Sequence, residues 1–380
     1  MAWSKPHIVL VGGDGGPSGV PRHITNLVRA IKDDAQVTVL SEANHGGYNE
    51  VTSLGAQHVA LPGLASRLNP NNIIRGQSAL ANWLSDAQAD LVWGHARMPV
   101  IYLRRLLQSG RWTPTPATKV ALSYHGLPFG KGARFGMGAF SLYIERQLLK
   151  GSMPLDLVFL TEDQQACMLA EIGSDIAQER CHILGNASHL GVLPEDTPRD
   201  VSGRHLVMTG RTGWQKNYEA ALRLLRHLPD DVTLSLCGPG TDRPAFTERA
   251  RRLAGPAASR LRLLGPLSDV RHLLAAADGY LLTSRYEGQP IGAIEAMEAG
   301  LPLILSTFEG AHGLTQDHPL ALLLDGSESD QAAAIDQMLS RYLANRSEAQ
   351  RQIREFWATR YTPDRFDTAA RALVFEKILA

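Results

Sequence analysis

Cysteine is scarce: Cys167, Cys181 and Cys237 stand far apart in a chain of 380 residues. No two form a C-x-x-C pair, and no Cys/His spacing suits a structural zinc. A disulfide framework is thereby excluded, and a reducing, cytoplasmic compartment is the expectation. An excess of charge is also missing. Lys+Arg is 38 and Asp+Glu is 38, so nothing draws the whole chain toward nucleic acid. No apolar run reaches about 18 residues, which argues against a membrane span. The opening MAWSKPHIVLVGG lacks the form of a signal peptide and reads as a first strand. Low-complexity tracts and short repeats are absent, and 44% apolar with 20% charged residues excludes disorder or a coiled coil for the bulk of the chain.

What is present is alternation. Short apolar runs at His7–Val11, Gln36–Leu40, Leu91–Trp93, Lys119–Tyr124, Leu155–Leu160 and His182–Leu184 read as strands. Helical periodicity fills the gaps at Val20–Lys32, Ile74–Ser85, Pro99–Gln108 and Gly136–Lys150. The segment LGVLPEDTPRDVSGR breaks the pattern with two Pro and two Gly and reads as a linker. Strands resume at His205–Gly210, Val232–Leu236, Leu261–Leu264, Gly279–Thr283, Leu303–Ser306 and Ala321–Leu324. Helical segments over Asp330–Leu343, Ser347–Thr359 and Pro363–Leu379 close the chain. Strand–helix alternation predicts α/β architecture: two Rossmann-like, doubly wound domains with parallel sheets. Ligands are expected at the carboxyl ends of the strands and in a cleft between the domains.

Three segments carry candidate chemistry. GGDGGPSGVPRH, residues 12–23, is a glycine turn feeding a helix, where amides and the helix dipole favour an anion. It lacks the third glycine of G-x-G-x-x-G and no acidic residue clearly ends strand two, so the signal for NAD is weak; a plain tight turn is an equal alternative. TGRTGWQKN sets Arg211 and Lys216 in the turn after the first strand of the second domain. Two cations there suit a diphosphate, Arg by its fork and Lys as a point charge, though by themselves they do not outweigh the commoner reading as solvated surface charges. SRYEGQPIGAIEAMEAGLPLILS sets Glu287 after a strand and Glu295 on the following helix, with Pro290 at its first turn. Amides near Gly288–Ile291 suit phosphate and the carboxylates suit hydroxyls. Glu287 alone would be a helix N-terminal acid complementing the dipole, and Glu298 reads as a solvated third carboxylate.

Here the chain resembles the retaining GT-B glycosyltransferases, specifically glycosyltransferase family 4. Glu287-Gly288-Gln289-Pro290 followed by Glu295-Ala296-Met297-Glu298-Ala299-Gly300-Leu301-Pro302 is similar to that family's E-x7-E signature. The GR…KN segment upstream, CGPG at 237–240, the stretch 263–288, the first glycine turn and His125 in SYHG match in position. The resemblance implies that Arg211 and Lys216 hold the donor diphosphate, with Gly210 in their turn. It implies that Glu295 takes the ribose hydroxyls and Leu264 and Gly265 lie beside the base. Glu287 with the backbone of Gly288, Gln289, Pro290 and Ile291 would hold the transferred sugar and β-phosphate. Gly19 would approach the diphosphate from the first domain, and His125 would sit near the reacting carbon. Arg211, Lys216, Glu287 and His125 are thus the implied catalytic set. The family's last helix crosses back, so the implied domains are 1–195 plus about 358–380 for the acceptor and 200–357 for the donor. Two departures stand out: Asn186-Ala187-Ser188 replaces the family's N-G-V, and Gln289 replaces a large apolar residue.

The expected activity is transfer of a sugar from a nucleotide diphosphate sugar (UDP- or GDP-linked) to a saccharide or lipid-linked acceptor, as in polysaccharide or glycolipid biosynthesis. No D-x-D pair is present, so no metal and no further cofactor are expected. A nucleotide-sugar epimerase or synthase of the same fold, and a non-catalytic nucleotide-sugar binding protein, are the alternatives. His95, in WGHAR, is a candidate acceptor-side residue or a structural one. Between Arg97 and Lys150 stand nine basic residues (Arg97, Arg104, Arg105, Arg111, Lys119, Lys131, Arg134, Arg146 and Lys150), while Glu145 is the one acid. With Phe129, Phe135, Phe140 and Tyr143 interleaved, this block suits an anionic membrane surface or acceptor, or else a solvated helix face with an ordinary apolar stripe.

Overall fold

The computed structural model describes residues 5–66, 69–127, 129, 136–149, 154–172, 180–194 and 201–380. They divide into two compact units, one within 1–187 plus 363–380 and the other within 188–362. Lys131, Arg134, Phe135 and Lys150 of the basic block lie outside the described residues.

The first unit runs β1 (His7–Val11), α1 (Gly19–Ile31), β2 (Gln36–Ser41), α2 (Asn49–Ser53), β3 (Gln57–Ala60), α3 (Pro70–Asp86), β4 (Leu91–Gly94), α4 (Arg97–Gln108), β5 (Lys119–Tyr124), α5 (Met137–Leu149), β6 (Asp156–Phe159), α6 (Glu162–Ile172) and β7 (Cys181–Ile183). All seven strands are parallel in the order β3-β2-β1-β4-β5-β6-β7. The order reverses between β1 and β4, the switch point at which doubly wound sheets place their ligands. Side chains alternate along a strand, and β1 shows the consequence. Ile8 and Leu10 enter one apolar layer with Ile24, Leu27 and Val28 of α1. Val9 and Val11 enter the opposite layer with Leu103 and Leu106 of α4. A sheet buried on both faces explains the continuous apolar runs.

The second unit runs β8 (Arg204–Thr209), α7 (Tyr218–Leu224), β9 (Val232–Cys237), α8 (Pro244–Ala254), β10 (Leu261–Gly265), α9 (Arg271–Ala275), β11 (Gly279–Leu282), α10 (Ile291–Glu298), β12 (Leu303–Ser306), α11 (Ala311–Thr315), β13 (Ala321–Leu324), α12 (Glu328–Ala344) and α13 (Arg346–Ala358). Its six strands, again parallel, take the order β10-β9-β8-β11-β12-β13. The switch point lies between β8 and β11, the two strands that lead into the Arg/Lys and Glu segments.

The last helix, α14 (Pro363–Arg371), returns to the first unit and ends in a π-helical stretch, Ala372–Ile378. Phe366, Ala370, Leu373, Val374 and Ile378 join the layer that α1 forms. Arg371 donates to the Ala30 carbonyl at 3.1 Å. Where the chain enters and leaves the second unit, its strands of backbone meet. The Ser188 amide donates to Tyr361 O at 3.2 Å, and Trp357 Nε1 donates to Ser188 Oγ at 3.0 Å. Ser188 Oγ in turn donates to Glu298 at 2.7 Å, and the Leu190 amide donates to the same carboxylate at 2.7 Å. Glu298 is therefore not the solvated carboxylate expected from sequence. It is 9% exposed, and burial pushes its carboxyl above the usual range. Two neighbouring donors from an entering loop need an acceptor there, and α10 ends where it can supply one.

Removing residues 363–380 should expose an apolar face of the first unit, so the melting temperature of the truncated chain should fall sharply in calorimetry. Phe366→Ala alone should cost about 3–5 kcal/mol in urea unfolding, the range for a buried phenylalanine. An unchanged melting temperature for the truncation would show that this helix is a dispensable tail.

Candidate active site

In the second unit the carboxyl ends of β8, β9, β10 and β11 are joined by turns that pack unusually close. The Gly210 amide donates to Cys237 O at 2.8 Å, and the Gly238 amide to Gly265 O at 2.7 Å. Gly238 has a φ of +140°, and a Cβ on it would stand 2.1 Å from the Gly210 carbonyl oxygen. Only glycine lets these two turns touch. Gly265 is tied to the same nest by its amide, which donates to Thr241 Oγ1 at 3.0 Å. Leu264 and Gly265, assigned to the base from the resemblance, thus end β10 beside the glycine turns that flank Arg211.

Lys216 and Glu287, 71 residues apart, meet as an ion pair of 2.7 Å. Glu287 is 6% exposed, and its remaining demand is met locally. Ser284 Oγ donates to it at 2.6 Å and Gln215 Nε2 at 3.1 Å. Gln215 also donates to Tyr286 O at 3.1 Å, and the Arg285 amide donates to Gln215 O at 2.8 Å. The guanidinium of Arg285 lies 3.7 Å over the Trp214 ring and donates to the Trp214 carbonyl. The segments 211–217 and 283–288 are therefore one stitched surface. Arg211 is exposed at its edge, and no hydrogen bond or ion pair holds it among the described residues. Asn217 closes the turn at a φ of +50°, in the left-handed region that asparagine tolerates.

The helix α10 starts directly after Pro290, so its first amides, Ile291 and Gly292 among them, precede any intrahelical acceptor. Gly292 is packed against β8 and β11: a Cβ on it would stand 2.3 Å from the Tyr280 hydroxyl, itself 2.8 Å from Thr209 Oγ1. Gly288, Gln289, Pro290 and Ile291 thus lie between the Glu287 carboxylate and this helix start. Glu295 sits on the same helix, 5% exposed. A carboxylate, a cation and free helix amides at one sheet end can bind a ligand that carries both phosphate and hydroxyls.

The first unit holds the other two expected residues. Gly19 opens α1 and is exposed. His125 follows β5 and is not alone. Its ring lies 4.8 Å from that of His23 and 5.6 Å from that of His95. His95 is fully buried and stacked on Trp93 at 5.1 Å. The basic block is also altered. Arg104 is 1% exposed and paired with Glu145, and it donates to Tyr124 at 3.1 Å. Arg97 donates to Ser141 at 2.6 Å. Sequence reasoning missed Gln215, Ser284 and His23. Ser284 and Gln215 adjoin motif residues, but nothing in the sequence says that both aim at Glu287.

Residues 203–341 match the family model described as "Glycosyl transferases group 1". The match places a group 1 glycosyltransferase-like domain in the second unit. A glycogen synthase of Mycobacterium tuberculosis is 24% identical over 341 residues, 82% of this chain and 78% of that protein. A D-inositol 3-phosphate glycosyltransferase of Xylanimonas cellulosilytica is 24% identical over 190 residues, 45% of each chain, so that match spans less than half of the relative. The structure of Anabaena Alr3699/HepE in complex with UDP and glucose superposes with a TM-score of 0.76 at 14% identity, covering 98% of this chain and 100% of that one. The fold is accordingly GT-B. No helix among the described residues is long and apolar enough to cross a membrane.

The Lys216–Glu287 contact should be energetically coupled, because removing either partner leaves a buried charge. In a double-mutant cycle of Lys216→Ala and Glu287→Ala, urea unfolding should give a coupling energy of about 1–3 kcal/mol. Additive losses would mean that the two side chains do not sense one another.

Proposed function

We propose that the chain is a retaining glycosyltransferase that moves a sugar from a UDP- or GDP-sugar to a saccharide or lipid-linked acceptor. The observation behind this is the stitched surface at the β8–β11 strand ends, which sets Lys216, Glu287 and the start of α10 side by side. Arg211 and Lys216 take the diphosphate and stabilise the negative charge that grows on it as the glycosidic bond breaks. Lys216 then leaves Glu287 for phosphate, and Glu287 turns to the sugar hydroxyls. Glu295 binds the ribose, Leu264 and Gly265 flank the base, and Gly19 and His125 serve from the first unit, which takes the acceptor. The C–O bond to the diphosphate breaks while the acceptor oxygen bonds on the same face. The acceptor proton passes to the departing phosphate oxygen. With two cations on the phosphates, the donor needs no metal. The glycogen synthase relative supports a polysaccharide product, and HepE, as a complex with UDP and glucose, supports a uridine donor.

Arg211→Ala and Lys216→Ala should each weaken UDP binding by about 1.5–3 kcal/mol in calorimetry, the range for hydrogen bonds to charged groups. Magnesium or EDTA should leave that affinity unchanged. NMR of the product should show the donor's anomeric configuration. Full affinity in both variants, or an inverted product, would remove this assignment.

A membrane-facing role for α5 has its own observation: Phe140 is 55% and Tyr143 60% exposed. We propose that they sit at an anionic lipid surface, where each basic residue of the block near that surface would add roughly 1 kcal/mol. Sedimentation with phosphatidylglycerol vesicles should fall with salt and with Phe140→Ser/Tyr143→Ser. Equal sedimentation of that variant at all salt concentrations would leave α5 as an ordinary solvated helix.

A further inference from the structure

The three histidines at the carboxyl end of the first sheet have a geometry that sugar transfer does not require. His95 follows β4, His125 follows β5, and His23 lies on α1, the helix that follows β1. These are the strands on either side of the switch point. One ring nitrogen from each residue falls within 4.8 Å of the others. His23 and His95 are 1% and 0% exposed, and His125 is half-buried.

The hydrogen bonding of the cluster is incomplete in a specific way. His23 Nδ1 stands 2.8 Å from Asn186 Oδ1. An amide oxygen only accepts, so Nδ1 carries the proton and Nε2 carries a lone pair. That Nε2 is buried and has no hydrogen-bond partner. His95 Nε2 is buried without a partner as well. The one contact between rings, His95 Nδ1 to His125 Nε2, is long for a hydrogen bond at 3.4 Å. Burial lowers the pKa of all three, that of His23 to about 4, which leaves uncharged rings with available lone pairs. A buried lone pair left unpartnered at His23 Nε2 is costly, and the long His95 Nδ1–His125 Nε2 contact satisfies those two nitrogens poorly, so the three atoms can share one partner.

We infer that His23, His95 and His125 form a binding site for a divalent transition metal of the zinc type. Imidazole nitrogens about 2.1 Å from a tetrahedral zinc stand roughly 3.4 Å apart. The His95 Nδ1–His125 Nε2 pair already has that spacing, and one nitrogen from each of the three rings lies within 4.8 Å of the others. Asn186 fixes the His23 tautomer from outside the ligand set, the usual arrangement around a metal-bound histidine. Three protein ligands leave a fourth position for water or a hydroxyl. The absent D-x-D and the Arg211/Lys216 pair bear only on the donor phosphates, and His125 is shared with the proposed transfer site, so His23 and His95 are the ligands that test the metal site by itself.

Cobalt(II) is the probe. Added to the full chain, it should give the visible absorption of a tetrahedral imidazole site, saturate at one equivalent and be displaced by zinc. His23→Gln, His95→Gln and His125→Gln should each weaken cobalt binding at least tenfold. Asn186→Ala should weaken it about tenfold by freeing the His23 ring. UDP affinity should be unchanged in His95→Gln. His125 is half-buried, so its glutamine variant is the one least expected to disturb folding, and circular dichroism checks it. Absence of saturable binding would overturn the site. So would cobalt binding that the folded variants leave undiminished, because that would place the ion on other histidines.

Discussion

A carboxylate buried beside a strand end is the constraint on which the rest of the second unit's site depends. At 6% exposure, Glu287 has lost most of its water, and an isolated buried charge of that kind is costly. Its two oxygens take Lys216, Ser284 and Gln215 instead. Each of those partners has a second consequence. Lys216 draws the turn after β8 toward that after β11. Gln215 bridges to the backbone of Tyr286, and Arg285 answers by holding Trp214. Gly210 suits this arrangement, since a Cβ on it would stand 2.6 Å from Lys216 Cε. The loops are ordered by one carboxylate rather than by their own propensities.

That ordering has a functional corollary. An ion pair with one partly exposed member is exchangeable, because its partners can trade one another for a ligand with the same charge pattern. Phosphate matches the role of Glu287 toward Lys216, and hydroxyls match the role of Lys216, Ser284 and Gln215 toward Glu287. The surface is thus prepared for a molecule that carries both groups. A monovalent anion alone would break the pair without compensating Glu287.

The strands and the site segments were legible in the sequence to different depths. Fully buried parallel strands are short apolar runs, so β1, β4, β5 and β11 stand out by hydrophobicity alone. The edge strand β3, Gln57–Ala60, carries the pattern QHVA with no buried residue and offers no such run. Its identity comes from pairing with β2. Arg211, Lys216, Glu287 and Glu295 draw attention in the sequence through their resemblance to a family motif, beside turns that follow strands. Glu298 was misjudged for a physical reason: an acid on a helix is usually solvated, and only the entering backbone at Ser188 and Leu190 gives it a buried task. His23 was hidden in the same way. On α1 it lies among buried apolar neighbours, and periodicity cannot distinguish a core histidine from one that meets two others across three strand ends.

The two sheets therefore end in opposite chemistry. The second unit's strand ends carry a lysine on a glutamate, with an arginine exposed nearby. The first unit's strand ends carry imidazoles that burial keeps neutral. Arg104 and Glu145, the charged pair buried in that unit, cancel each other within the core. Charge recognises phosphate, whereas neutral nitrogen lone pairs recognise a proton or a metal ion and hold no anion. Sequence composition could not reveal this division, because both surfaces vanish into the same net charge of zero.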